Sequence, residues 1–140
     1  MNPIHVTKLD HVVLRVADIE KSIHFYCDIL GFPEKRISDG LYQYQAGASM
    51  IDLVPIDSNL GQRSGYGPPK AGRNVDHFAL TLSEFDGETI VAYLEENCVT
   101  VERSGRRFGA QGYGPSVYCQ DPDGNFVELK GPPEEAPLLR

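Results

Sequence analysis

Tryptophan is missing from this chain of 140 residues, and cysteine occurs only three times. Cys27, Cys98 and Cys119 are odd in number, far apart and without a CxxC pair, which speaks against a disulfide framework and against a thiolate zinc site. Reduced thiols are expected. Positive charge is also scarce: 13 Lys and Arg face 20 Asp and Glu, a net charge of −7. A nucleic-acid binder has to neutralise phosphates, so no nucleic-acid partner is expected. No apolar run approaches the ~18 residues of a membrane span, and the first residues lack a signal-peptide pattern. A cytoplasmic protein with no membrane partner follows as an expectation.

The 41% hydrophobic and 24% charged residues are ordinary globular values and exclude disordered, collagen-like and coiled-coil classes. At roughly 100 to 200 residues per domain, the length predicts one domain, spanning 1–140. That domain carries an internal repeat. Leu9-Asp10-His11-Val12-Val13-Leu14-Arg15-Val16 is echoed by Asn74-Val75-Asp76-His77-Phe78-Ala79-Leu80-Thr81-Leu82. In both copies apolar residues alternate with others, the period-two signature of a strand.

An amphipathic helix is predicted after each strand, from Asp18 to Leu30 and from about Asp86 to Asn97. Three short strands complete each half: Phe32 to Ile37, Leu41 to Gln45 and Ala48 to Val54, then Val99 to Ser104, Ser116 to Gln120 and Asn125 to Lys130. The expected class is therefore α+β, with two βαβββ modules at about 7–56 and 74–130, a linker at about 57–73 and a tail at 131–140. Asp57 to Arg73 and Gly105 to Pro115 are long and Gly-rich, and read either as mobile covers over a site or as linkers. The tail, with three prolines, is expected to lack regular structure.

Asp121-Pro122-Asp123-Gly124-Asn125 reads as a type I turn with Gly at the left-handed position, a three-residue hairpin loop that fixes register. Tyr118 then lies opposite Glu128, on the face with Ser116, Gln120 and Phe126. Val117, Cys119, Val127 and Leu129 form the apolar face under the helix, so Cys119 reads as a buried structural thiol. Aligning the halves sets Met50-Ile51-Asp52-Leu53 against Phe126-Val127-Glu128-Leu129. Each half thus offers one histidine on its first strand and one carboxylate on its last. A lone strand histidine is ordinarily a hydrogen-bonded core or surface residue. Four ligand-type residues at matching places, His11, Asp52, His77 and Glu128, instead suit a divalent metal with water in the remaining positions, around a concave helix-free side.

Leu9 to Asp18, the helix ending Phe25-Tyr26 and Leu30-Gly31-Phe32, and the Asp121 to Asn125 turn followed by Glu128 resemble the markers of the vicinal oxygen chelate superfamily. That superfamily includes glyoxalase I, extradiol dioxygenases, fosfomycin resistance transferases and bleomycin resistance proteins. The resemblance implies curved mixed sheets enclosing nickel, zinc, manganese or iron, ligated at His11, Asp52, His77 and Glu128, commonly in a homodimer.

Similarity to glyoxalase I implies a lyase-type isomerisation of an adduct between a 2-oxoaldehyde and a thiol such as glutathione. Glu128 would be the base, and Arg15 and Arg73 would hold the thiol's carboxylate. Asp52 departs from that pattern, because glyoxalase I usually has Glu there and Asp is one methylene shorter. Fosfomycin-type transferases manage with the set His11, His77 and Glu128. Extradiol dioxygenases imply a catalytic role for Tyr118, and bleomycin-binding relatives imply a small-molecule binding protein without a metal. His5 and His24 receive no role.

Overall fold

The computed structural model describes residues 1–63, 65, 67 and 71–134. It divides into two compact units, Met1–Pro68 and Pro69–Arg140. The first runs β1 (His11–Val16), α1 (Ile19–Ile23), β2 (Glu34–Ser38), β3 (Leu41–Ala46), β4 (Ser49–Pro55) and a short α2 (Asn59–Gln62). The second runs β5 (His77–Thr81), α3 (Gly87–Glu96), β6 (Val101–Gly109), β7 (Gly112–Gln120) and β8 (Phe126–Lys130). Both sheets are four-stranded and share one topology, β1-β4-β3-β2 and β5-β8-β7-β6. In each, the first strand pairs parallel with the last and the other neighbours are antiparallel. The α+β class with two βαβββ modules holds.

The helices begin where the sequence has an aspartate to cap them. Asp18 accepts from the Lys21 amide at 3.1 Å and Asp86 from the Thr89 amide at 3.1 Å, satisfying donors that a first helical turn leaves open. Helix α1 then widens into a π-helical stretch, His24–Ile29, in which the Leu30 amide reaches back five residues to Phe25. This wider turn lets the adjacent Phe25 and Tyr26 both be buried, along with Ile29. They join Val16, Tyr44, Ile51 and Leu53 in the core of the first unit. In the second unit Leu94 of α3 is buried, as are Val117, Cys119, Val127 and Leu129. Each such side chain contributes roughly 1.5–3 kcal/mol when fully buried. Tyr93, next to Leu94 on α3, is exposed.

The hairpin turns behave as their residues require. Asp39 and Gly40 both have positive φ, 52° and 79°, the requirement of a two-residue I′ turn. The next turn falls one residue later than the sequence suggests, with Ala46 paired to Ser49. At Asp121–Asn125, the Asp121 amide donates to the Asn125 carbonyl at 2.9 Å. One Asp121 carboxylate oxygen accepts from the amides of Asp123 and Asn125 at 2.9 and 2.8 Å. The predicted register follows, with Tyr118 opposite Glu128.

One expectation fails. Gly105 to Pro115 is not a loop: β6 and β7 are nine residues each and run through it, meeting at a two-residue turn at Ala110 and Gln111. Gly112 supplies a positive φ of 113° with open space around it, whereas Gly109 and Gly114 make room for neighbours. A Cβ on Gly109 would sit 2.6 Å from Lys130 Cε, and one on Gly114 would sit 2.7 Å from the Pro132 carbonyl oxygen. The segment between the halves contains α2, while residues 64, 66 and 68–70 lie outside the described residues. Of the tail, 131–134 is irregular and is fastened to the hairpin: the Glu134 amide donates to the Tyr113 carbonyl and its carboxylate receives Arg106 Nε at 2.9 Å. Residues 135–140 lie outside the described residues. Among the described residues no helix is long and apolar enough to cross a membrane.

Candidate functional site

In the first unit His11 pairs with Met50 and Val13 with Asp52, while Gln43 stands opposite Asp52 on β3. Strand alternation puts His11, Arg15, Gln43 and Asp52 on one face. In the second unit His77 pairs with Phe126, Ala79 with Glu128 and Tyr118 with Glu128, so His77, Tyr118 and Glu128 share a face too. Each half therefore puts on one sheet face the histidine and carboxylate that the aligned halves pair, and in the second they also meet.

Each histidine is oriented by the residue before it. His11 Nδ1 lies 2.7 Å from Asp10 Oδ2, and His77 Nδ1 lies 2.6 Å from Asp76 Oδ2. A carboxylate can only accept, so the proton sits on Nδ1 and the lone pair of a neutral ring is at Nε2. This fixes the tautomer that a metal-binding imidazole needs. Asp10's hydrogen bond, together with the charge of Asp52, also raises the His11 pKa above its ordinary value. Neither aspartate was singled out from the sequence, although the repeated Asp-His pair was the available signal.

Both carboxylates are buried, Asp52 at 1% exposure and Glu128 at 5%. Gln43 Nε2 donates to Asp52 Oδ2 at 3.0 Å, whereas Asp52 Oδ1 is buried with no hydrogen-bond partner among the described residues. The Ser116 hydroxyl donates to Glu128 Oε1 at 2.6 Å, and Glu128 Oε2 faces His77 Nε2 at 3.2 Å. Two lone pairs meeting at that distance require a proton or a cation between them. Burying a carboxylate oxygen without a partner costs free energy in the same way. These residues fit a divalent metal. Among the described residues, however, no three or more His, Cys, Asp or Glu gather as a ready-made metal cluster.

Tyr118 is buried beside this pair. Its ring meets the His77 ring edge-on at 5.2 Å, and its hydroxyl is hydrogen-bonded to Glu128 and Arg107. Burial, reinforced by Glu128, pushes the phenol pKa above its ordinary value. Arg103 lies over the same ring at 4.5 Å and Arg107 at 5.7 Å. Sequence reasoning missed both arginines: Arg103 lay on the strand Val99 to Ser104 and was given no role, and Arg107 fell in the Gly105 to Pro115 segment read as a cover or linker. Arg15 and Arg73 are tied within their own halves. Arg15 donates to the Gly61 carbonyl at 2.9 Å and to that of Gly65. Arg73 donates to Asn125 Oδ1 at 2.9 Å and to the Asp123 carbonyl at 2.6 Å.

Known proteins are similar to this chain over most of its length. It is 31% identical over 128 residues to virulence protein STM3117 of Salmonella typhimurium, covering 89% of this chain and 83% of that one. It is 31% identical over 122 residues to glutathione transferase FosA of Serratia marcescens, covering 86% and 78%. An integron cassette protein from Vibrio cholerae superposes with a TM-score of 0.68 at 30% identity, covering 91% and 97%. The family model matches residues 8–129, from just before the first Asp-His pair to just past Glu128. With both repeats inside that match, the chain belongs to the Glyoxalase/Bleomycin resistance protein/Dioxygenase superfamily.

Proposed function

We infer that the protein is a metal-dependent enzyme acting on a small molecule with two neighbouring oxygens, with a glyoxalase I-like isomerisation of a thiol and 2-oxoaldehyde adduct as its reaction. The carrying observation is that each half sets an aspartate-oriented histidine and a buried carboxylate on the same sheet face, one of the carboxylates with an oxygen left without a partner among the described residues. His11, Asp52, His77 and Glu128 would hold nickel, zinc, manganese or iron. A bound divalent ion supplies Lewis-acid pull on the two substrate oxygens, which makes the neighbouring C–H acidic. Glu128 then takes and returns the proton between adjacent carbons. Ser116 keeps one of its oxygens in place, and Tyr118 offers its hydroxyl to that carboxylate or to a substrate oxygen. The active form in this reading is a homodimer, with glutathione or a similar thiol as partner substrate.

Thiol transfer of the fosfomycin-resistance type is the second reading. It is favoured by Gln43, which already occupies one oxygen of Asp52 and points to a working set of His11, His77 and Glu128. Reconstitution followed by elemental analysis should give one divalent ion per chain, reduced in His77→Ala. Under the isomerase reading, Asp52→Asn weakens metal binding, and Glu128→Gln cuts turnover of a 2-oxoaldehyde and glutathione adduct by about 10² to 10⁴. Parent-like metal binding and turnover in Asp52→Asn would reject the four-ligand model. A protein that takes up no metal would reject both readings.

A further inference from the structure

We propose that the second half recognises an anionic oxygen group, a carboxylate or phosphonate on a small substrate, through Arg103 and Arg107 of β6. The inference rests on His77 and Glu128 being metal ligands and adds the charge class of what binds beside them. The register puts Arg103 opposite Tyr118 and Arg107 opposite Gly114, with Ser116 between Gly114 and Tyr118 on β7. Strand alternation therefore places both guanidinium groups on the face that carries Tyr118 and Glu128. Both lie over the Tyr118 ring, which itself touches His77. Arginine, aromatic ring and candidate ligand form one continuous surface.

Charge is what makes this surface unusual. Among the described residues no carboxylate forms an ion pair with Arg103 or Arg107, although the chain has seven more acidic than basic residues. The contrast with Arg106 is local and informative. Arg106 points to the other side of the strand and is neutralised by Glu134. Each guanidinium group over the Tyr118 ring is a planar, donor-rich fork, which matches the oxygens of a carboxylate or phosphonate better than a point charge does.

Gly105 sits between the two arginines on the same face. A Cβ there would come within 2.8 Å of Arg107 Nη1, so the bare backbone provides the space in which that guanidinium lies. Arg15 and Arg73 are fastened to carbonyl groups and an amide oxygen of their own halves, whereas Arg107, although its Nη1 donates to the Arg106 carbonyl at 2.9 Å, still lies over the Tyr118 ring with Arg103. Arg103 and Arg107 are the better-placed pair for an acid.

Calorimetric titration of the zinc-loaded protein with phenylphosphonate, benzoate and phenol tests the assignment. The two acids should bind and neutral phenol should not, and the stronger acid identifies the preferred oxyanion. Arg103→Gln and Arg107→Gln should each weaken acid binding about tenfold, the usual worth of a charge-assisted hydrogen bond, while zinc affinity stays at the parent value. Added salt should lower the affinity of the parent more than that of the arginine variants. Zinc binding with acid affinity unaffected by both arginine substitutions, or phenol bound as well as benzoate, overturns the assignment and leaves the metal reading standing. A protein that binds no zinc but still holds the acids through both arginines overturns the metal reading and supports the assignment.

Discussion

Cys98 and Cys119 differ in thiol chemistry because of where the fold puts them. Cys98 is exposed just after α3, whereas Cys119 is fully buried in the β7 row under that helix. Burial, with the nearby Asp121 charge adding to it, pushes the Cys119 thiol from 9.0 to about 12. A raised acid pKa means the folded state holds its proton more tightly than the unfolded chain. The stability this gives is therefore complete below about pH 9 and is lost as pH rises towards about 12. At pH 8, iodoacetamide should modify exposed Cys98 within minutes and leave Cys119 untouched until the protein unfolds, since burial both shields the Cys119 thiol and disfavours its thiolate. Peptide mapping by mass spectrometry reads this directly, and rapid labelling of Cys119 in folded protein would contradict the packing. The sequence made Cys119 legible through period-two alternation alone. It made His11, Asp52, His77 and Glu128 legible as a repeated set. Asp10, Asp76, Gln43 and Ser116 were not singled out, because their roles depend on which ring nitrogen or carboxylate oxygen they meet.

At the scale of elements, the caps and turns were readable because their chemistry is local. Asp18, Asp86 and the Asp121–Asn125 loop each satisfy their own neighbouring amides. Asp86→Ala should accordingly cost about 1 kcal/mol in denaturant unfolding, the usual worth of an N-cap. The β6–β7 hairpin was not readable, because the reason for Gly109 and Gly114 comes from β8 and the tail, which the local sequence does not contain. Two glycines test that distinction by the nature of the atom each faces. A Cβ on Gly61 would lie 1.9 Å from the Pro55 carbonyl oxygen, which is backbone, whereas one on Gly109 meets the flexible end of Lys130. Gly61→Ala should therefore destabilise by at least the ~1–3 kcal/mol typical of overpacking, and Gly109→Ala by clearly less. Gly61→Ala should also loosen Arg15, whose Nε donates to the Gly61 carbonyl. Equal midpoints for the two variants in urea would show that backbone contact is not what separates them.

For the whole molecule, the decisive fact is that each compact unit carries only one histidine and one carboxylate of the proposed set. In the proposed four-ligand reading two ligands from one half would leave a divalent ion largely to water, so that reading calls for one half of each kind. The proposed homodimer can supply them by joining the first half of one chain to the second half of its partner, a closed two-fold arrangement that forms two equal sites. Mixing variants distinguishes that arrangement from sites built within single chains. His11→Ala damages only a first half and His77→Ala only a second half. In a mixed dimer with exchanged halves, one site receives both defects and the other receives neither. Unfolding and refolding an equal mixture of the two variants should then restore metal binding and activity to about a quarter of the parent value, because half of the dimers are mixed and each has one intact site. Each variant refolded alone should stay impaired. Sites within single chains would leave every site in the mixture with one defect, so no recovery in dimers confirmed by light scattering would reject the exchanged arrangement, and a monomer with full activity would reject the dimer itself.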